Sequence, residues 1–194
     1  IEADNPLLIT MTDVESMLVL AFELINGREL PVLVFSYRGV WRLAAALDRD
    51  QLRLLFQPVV DSTDERITGF EAQLRWHHPE LGVVSPLDFV PVAEETGLIV
   101  PIGAWVLREA CRQARAWLDA GLDFGVVSVN LSVRQFHERD LGDLVADVLR
   151  ETGLPADRLE LEITESALMN DVEQAVHTLN MLRTIGVALA LDDF

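Results

Sequence analysis

Acidic and amide side chains recur where the sequence predicts strands: Glu71 in "FEAQLRW", Asn130 in "VSVNLS", Glu160 and Glu162 in "LELEIT", and Asp192 with Asp193 in "LALDDF". Buried carboxylates are costly unless they are paired or bound to a cation, so several converging on one place predict a metal ion. The donors are all oxygens, with no Cys or His at metal spacing beside them. That favours Mg2+, Mn2+ or Ca2+ over Zn2+. Taken singly, each acid is as readily an exposed edge residue, a turn or a helix cap. Asn130 resists that reading, because an apolar run should not bury an amide without a partner. Between residues 67 and 76 the alternation sets Glu71, Gln73 and Arg75 on one strand face, and Phe70, Ala72, Leu74 and Trp76 on the other.

The elements that must position these groups begin near residue 52. Segments 52–61 and 65–76, separated by "STD", predict a strand pair, followed by helices over 86–97 and 99–121. The second helix carries Trp105, Ala110 and Trp117 among its candidate buried residues. A strand over 124–132, a helix over 140–153, a strand over 158–164, a helix over 171–186 and a strand over 187–194 complete the series. Strand and helix units of this length predict a parallel sheet covered by helices, doubly wound or closed as a barrel. In a parallel barrel the strand ends converge on one face, where polar residues build a site. A closed barrel needs about eight strands, and the repeating region offers five, so either the sheet is smaller and open or the sequence is a fragment. Upstream, Thr12 and Glu15 form a capping-box pattern ahead of an apolar helical stripe, "PVLVFSY" (31–37) predicts a short strand, and 41–51 predicts a helix. Residues 1–43 carry no recognisable chemistry and read as a structural lead-in.

Composition excludes several classes. Half of the 194 residues are hydrophobic, enough for a substantial core in roughly one globular domain. Thirty-two acidic against fifteen basic residues give a net charge of −17, which argues against a broad basic face for long nucleic acids. A small anionic ligand would need a metal or a focused arginine. The single cysteine, Cys111, forbids an intramolecular disulfide, fits a reducing compartment and reads as a half-buried helix residue. The apolar stretch "VESMLVLAFELING" contains Glu15 and Glu23 and is too short to span a bilayer, so a cytoplasmic location is the default.

Read in order, "FQPVVD", "FEAQLRWHHPELGVVSPLDFVPVAEETGLI", "VSVNLSVRQF", "LELEITES" and "LALDDF" together resemble the EAL domain, the bacterial cyclic-di-GMP phosphodiesterase family. The resemblance runs from about residue 44 to the end of the sequence. It implies an α/β fold, a modified TIM (β/α)8 barrel whose first strand is antiparallel, with about the first five barrel strands in this chain. It further implies that Glu71, Asn130, Glu162, Asp192 and Asp193 bind divalent cations, Mg2+ or Mn2+, in a two-metal site. Glu71, Asp192 and Asp193 would be the catalytic acids. Glu165 would support the loop after the aspartate pair. Gln57 matches a position that contacts a guanine base, and Arg75 one that contacts phosphate, a task its planar fork suits. The implied reaction is two-metal hydrolysis of cyclic-di-GMP to linear pGpG.

The sequence departs from the family in two places. The signature reads Glu71-Ala72-Gln73 where the family has leucine last, which implies altered packing at a substrate-binding position. The family's glycine-rich loop, lysine and later acids beyond the aspartate pair are not in this sequence, so the expected domain is C-terminally incomplete. The main alternative is an EAL-like module that binds cyclic-di-GMP or a protein partner without hydrolysis. From the residues alone, a metal-dependent lyase or aldolase barrel would also stand. By resemblance, a homodimer is plausible.

Overall fold

The computed structural model describes residues 42–169 and 171–192. The upstream helix and strand expected within residues 12–37 lie outside these, as does Asp193. Residues 40–194 form one compact unit.

A short helix, α1 (42–48), leads into β1 (Leu52–Val60) and β2 (Ile67–His78), which pair antiparallel. The turn between them is set by Asp61, whose carboxylate accepts from Thr63 N at 2.7 Å and Thr63 Oγ1 at 2.5 Å. A short β3 (Gly82–Val84), not expected from the sequence, folds back onto the end of β2. Buried His78 secures that corner, its Nδ1 accepting from the backbone N–H groups of Glu80 and Leu81 at 3.1 and 3.2 Å.

Ser85 then caps α2 (Pro86–Thr96), with Pro86 in the first turn, where its missing N–H costs nothing. Gly97, at φ 80°, ends α2 and the chain turns directly into α3 (Ile99–Asp119). The apolar stripe of α3, including Ile102, Val106, Leu107, Ala110 and Ala114, packs on the sheet; Trp105 and Trp117 are half-buried. Cys111 is wholly buried, not half-buried as the sequence suggested, because it lies within the sheet-facing stripe between Leu107, Ala110 and Ala114 while Arg108 and Arg112 take the solvent side of that turn.

Beyond it lie β4 (Val126–Leu131), the single turn α4 (Val133–Phe136), α5 (Leu141–Thr152), a 3-10 turn (Ala156–Arg158), β5 (Leu159–Thr164), α6 (Glu165–Met169), α7 (Val172–Ile185) and β6 (Ala188–Asp192). The short α4 and α6, absent from the sequence reading, each follow directly on a strand end. Asp171 caps α7 through Gln174 N. The sheet order is β1-β2-β4-β5-β6, with β3 on β2; β2, β4, β5 and β6 are parallel and β1 alone is reversed among them.

Alternation along β4 and β5 separates the two faces. Val127, Val129, Leu131, Leu159, Leu161 and Ile163 are buried in the core, each contributing roughly 1.5–3 kcal/mol of apolar burial. Phe56 and Phe70 meet Trp117 at ring-centroid distances of 4.9 and 5.0 Å, fixing the β1-β2 pair against α3. Residues of opposite parity then face the other side of the sheet: Glu71, Gln73 and Arg75; Ser128 and Asn130; Glu160, Glu162 and Thr164.

Candidate functional site

Pairing register, not sequence proximity, assembles the polar face. Glu71 lies opposite Gln57 on β1 and Ser128 on β4; Ser128 lies opposite Glu160; Asn130 lies opposite Glu162; and Thr164 lies opposite Asp192. Side-chain hydrogen bonds tie β4 to both of its neighbours across this face. Asn130 Nδ2 donates to Glu71 Oε1 at 2.9 Å, and Ser128 Oγ donates to Glu160 Oε1 at 2.7 Å. Asn130 is exposed rather than buried, so its partner is a carboxylate at the rim and not a group inside the core.

Gln73 stands at the middle of a longer chain of hydrogen bonds. Its Oε1 accepts from Arg75 Nη2 at 2.6 Å; its Nε2 donates to Gln57 Oε1 at 2.6 Å and to Glu71 Oε2 at 3.3 Å. The amide orientation is dictated by its neighbours, since a guanidinium only donates and a carboxylate only accepts. Arg75 is held a second time by its Nη1, which donates to Leu74 O at 2.9 Å.

Beside this network is a cavity of about 460 Å3. Ala72, Leu74, Val90, Ile99, Ile102, Val106 and Leu131 supply apolar wall, while Glu71, Gln73, Arg75, Glu94, Asn130, Ser132, Gln135 and Thr164 supply polar groups. An apolar wall with a few convergent polar groups suits a flat base attached to an anionic group. The floor near Gln135 is locked by a capping box: Gln135 N donates to Ser132 Oγ at 3.2 Å, and Ser132 N and Oγ donate to Gln135 Oε1 at 3.3 and 3.0 Å. Gly103 of α3 makes room for this side chain, because a Cβ there would lie 1.7 Å from Gln135 Nε2.

Of the residues expected at the site, the structure joins Glu71, Asn130, Gln57, Gln73 and Arg75 in one hydrogen-bonded group and sets Glu162 beside Asn130 in register. Asp192 ends β6, and Glu165 is the exposed first residue of α6. Among the described residues, which exclude Asp193 and the side chain of Asp192, no group of three or more His, Cys, Asp or Glu gathers to hold a metal ion. Ser128, Ser132, Gln135 and Glu94 were not singled out for the site. Only the Ser132–Gln135 pair carried a readable signal, the S-x-x-Q spacing of a capping box. Among the described residues, no helix is long and apolar enough to cross a membrane.

The fold and site define an α/β protein whose mixed sheet presents a polar strand-end face, with the first strand reversed. The chain belongs to the EAL domain family, which it matches over residues 41–194. It is 45% identical over 168 residues to an uncharacterized signaling protein of Caulobacter vibrioides, covering 86% of this chain and 20% of that protein. It is 46% identical over 152 residues to the bifunctional diguanylate cyclase/cyclic di-GMP phosphodiesterase MucR of Pseudomonas aeruginosa, covering 78% of this chain and 22% of MucR. The chain thus spans about a fifth of the length of these relatives. The solved PaMucR phosphodiesterase in complex with c-di-GMP superposes with a TM-score of 0.78 at 44% identity, covering 81% of this chain and 64% of that one. The six strands match the TIM-barrel-like sheets of EAL structures, and the described residues do not close a barrel.

Proposed function

We propose that this domain binds cyclic-di-GMP on its polar strand-end face and that the whole protein hydrolyses it to linear pGpG. The observation that carries the reading is the convergence of the Glu71–Asn130 pair with Arg75 and Gln57 beside a cavity of about 460 Å3. The c-di-GMP held by the PaMucR phosphodiesterase supports it by likeness. Arg75 offers its fork to a phosphate, Gln57 its amide to a guanine, and the apolar wall of α2 and α3 a surface for the base. In hydrolysis, water adds its oxygen to phosphorus, one P–O3′ bond breaks, and the leaving 3′-oxygen takes a proton, giving a 5′-phosphate and a free 3′-hydroxyl.

The donor set fits a hard divalent cation. Glu71, Asn130 and Glu162 are oxygen donors on neighbouring strands of one face, and Asp192 and Asp193 follow on the next strand in sequence. These five residues would hold Mg2+ or Mn2+, which when bound supply Lewis acidity at the phosphate. Glu165 would brace the segment that follows Asp193.

The test is turnover of cyclic-di-GMP by the full-length protein with Mg2+ or Mn2+, followed by chromatography. Formation of pGpG is expected, with Glu71→Ala lowering the rate by at least about 100-fold, the scale for losing a group that stabilises transition-state charge. Tight nucleotide binding without product from the metal-loaded protein would instead select a binding module.

A further inference from the structure

We infer that Gln73 is a positioning residue: one neutral carboxamide that pre-sets Arg75 and Gln57 for an anionic nucleotide and separates the Arg75 guanidinium from the Glu71 carboxylate. The inference rests on the nucleotide reading of this site and concerns a position where the chain departs from the leucine of the family signature.

Three hydrogen bonds carry it. Gln73 Oε1 receives Arg75 Nη2 at 2.6 Å, while Gln73 Nε2 is shared between Gln57 Oε1 at 2.6 Å and Glu71 Oε2 at 3.3 Å. Glu71, Gln73 and Arg75 occupy alternate positions of β2, so a short residue at the centre would leave a guanidinium and a carboxylate on one face with nothing polar between them. Long side chains so placed can fold together into an ion pair, and that would cancel both charges. Gln73 satisfies each in part and stands between the two charges, so that they are linked through its amide and not paired directly.

Arg75 keeps capacity for a ligand. Of the five guanidinium N–H groups, one is given to Gln73 and one to the Leu74 carbonyl. A phosphate therefore adds to the arrangement without displacing Gln73. Holding a rotamer-rich side chain in its binding position lowers the ordering cost that the ligand must otherwise meet, about 0.5–1.5 kcal/mol per side chain. Leucine in the same place cannot make any of these bonds.

The experiment is calorimetric binding of cyclic-di-GMP to the full-length protein, in chelator and again with Mg2+, using wild type, Gln73→Met, Arg75→Met and the double variant. Methionine keeps the length and flexibility of glutamine and removes every hydrogen bond. In any condition where wild type binds, Gln73→Met is expected to weaken binding roughly 3- to 10-fold. In the Arg75→Met background the same change should cost under about 2-fold, the remainder being the part that acts through Gln57. Gln73→Leu, measured alongside, keeps the test valid if the methionine variant does not fold and should show the same non-additivity. Equal or tighter binding by Gln73→Met, or full additivity with Arg75→Met, overturns the inference. Failure of wild type to bind in either condition instead overturns the nucleotide reading, and the inference falls with it.

Discussion

Gly125→Ala tests whether a close approach of two strands sets the register of the site. Gly125 precedes β4 at φ +79°, and a Cβ there would lie 1.9 Å from the backbone carbonyl oxygen of Thr68 on β2. Gly69, the first β2 partner of β4, has the complementary problem, its Cβ falling 2.8 Å from Val126 O. Alanine at residue 125 would bear the left-handed conformation, about 1–2 kcal/mol. It would also force two backbones apart, an overpacking cost of about 1–3 kcal/mol because neither atom ends a flexible side chain. The sum, about 2–5 kcal/mol, is a large share of an ordinary domain stability of about 5–15 kcal/mol. Gly121→Ala is the control: its φ is +78°, and a Cβ there meets nothing within 4 Å, so it carries the conformational term alone. Urea midpoints at constant m-value give both numbers. Destabilisation of the two variants within about 0.5 kcal/mol of each other would refute the steric argument and with it the claim that this approach fixes β4 against β2.

Two further perturbations read the surroundings of the cavity. Burial in α3 raises the Cys111 thiol from 9.0 to about 12, so the folded protein should resist iodoacetamide at pH 7 to 9 and react only on unfolding. Its folded value is raised, so its stabilising contribution is complete below pH 9 and declines as pH climbs toward 12, by up to about 1.4 kcal/mol per pH unit; urea midpoints against Cys111→Ala at pH 8 and pH 10 check the sign. Ser132→Ala removes the capping box that holds Gln135 and should cost about 1 kcal/mol in a thermal or urea melt, while an unchanged midpoint would show that α4 does not depend on its cap.

Much of the scaffold was legible because strand and helix periods differ and the chain obeys both. The apolar positions of "VVSVNL" and "LELEIT" alternate, and those of α3 recur at helical spacing, so each element declares itself locally. The strand pair followed from its short "STD" turn, and the reversal of its first strand from the family resemblance. Short elements escaped: β3 has three residues and α4 has four, too few for a period, and both are held by single side chains, His78 and Ser132.

The site itself was legible as a list of residue types and not as a set of contacts. Alternation alone puts Glu71 and Asn130 on the same face, yet it leaves their relative height open, and a one-residue slip of β4 would turn Asn130 into the core. Register places Glu71 opposite Ser128, so Asn130 reaches it from one step further along the face, and Ser128 is left to bind Glu160. That offset depends on glycine at residues 69 and 125, which carry no chemistry and would be passed over in any search for functional side chains. The same holds for Gln73. Read as sequence it is one of three polar residues on a strand face, at the position where the family has leucine; with the register fixed, Gln57 stands opposite Glu71 and comes within 2.6 Å of the Gln73 amide, and the odd residue becomes the one that connects the other three.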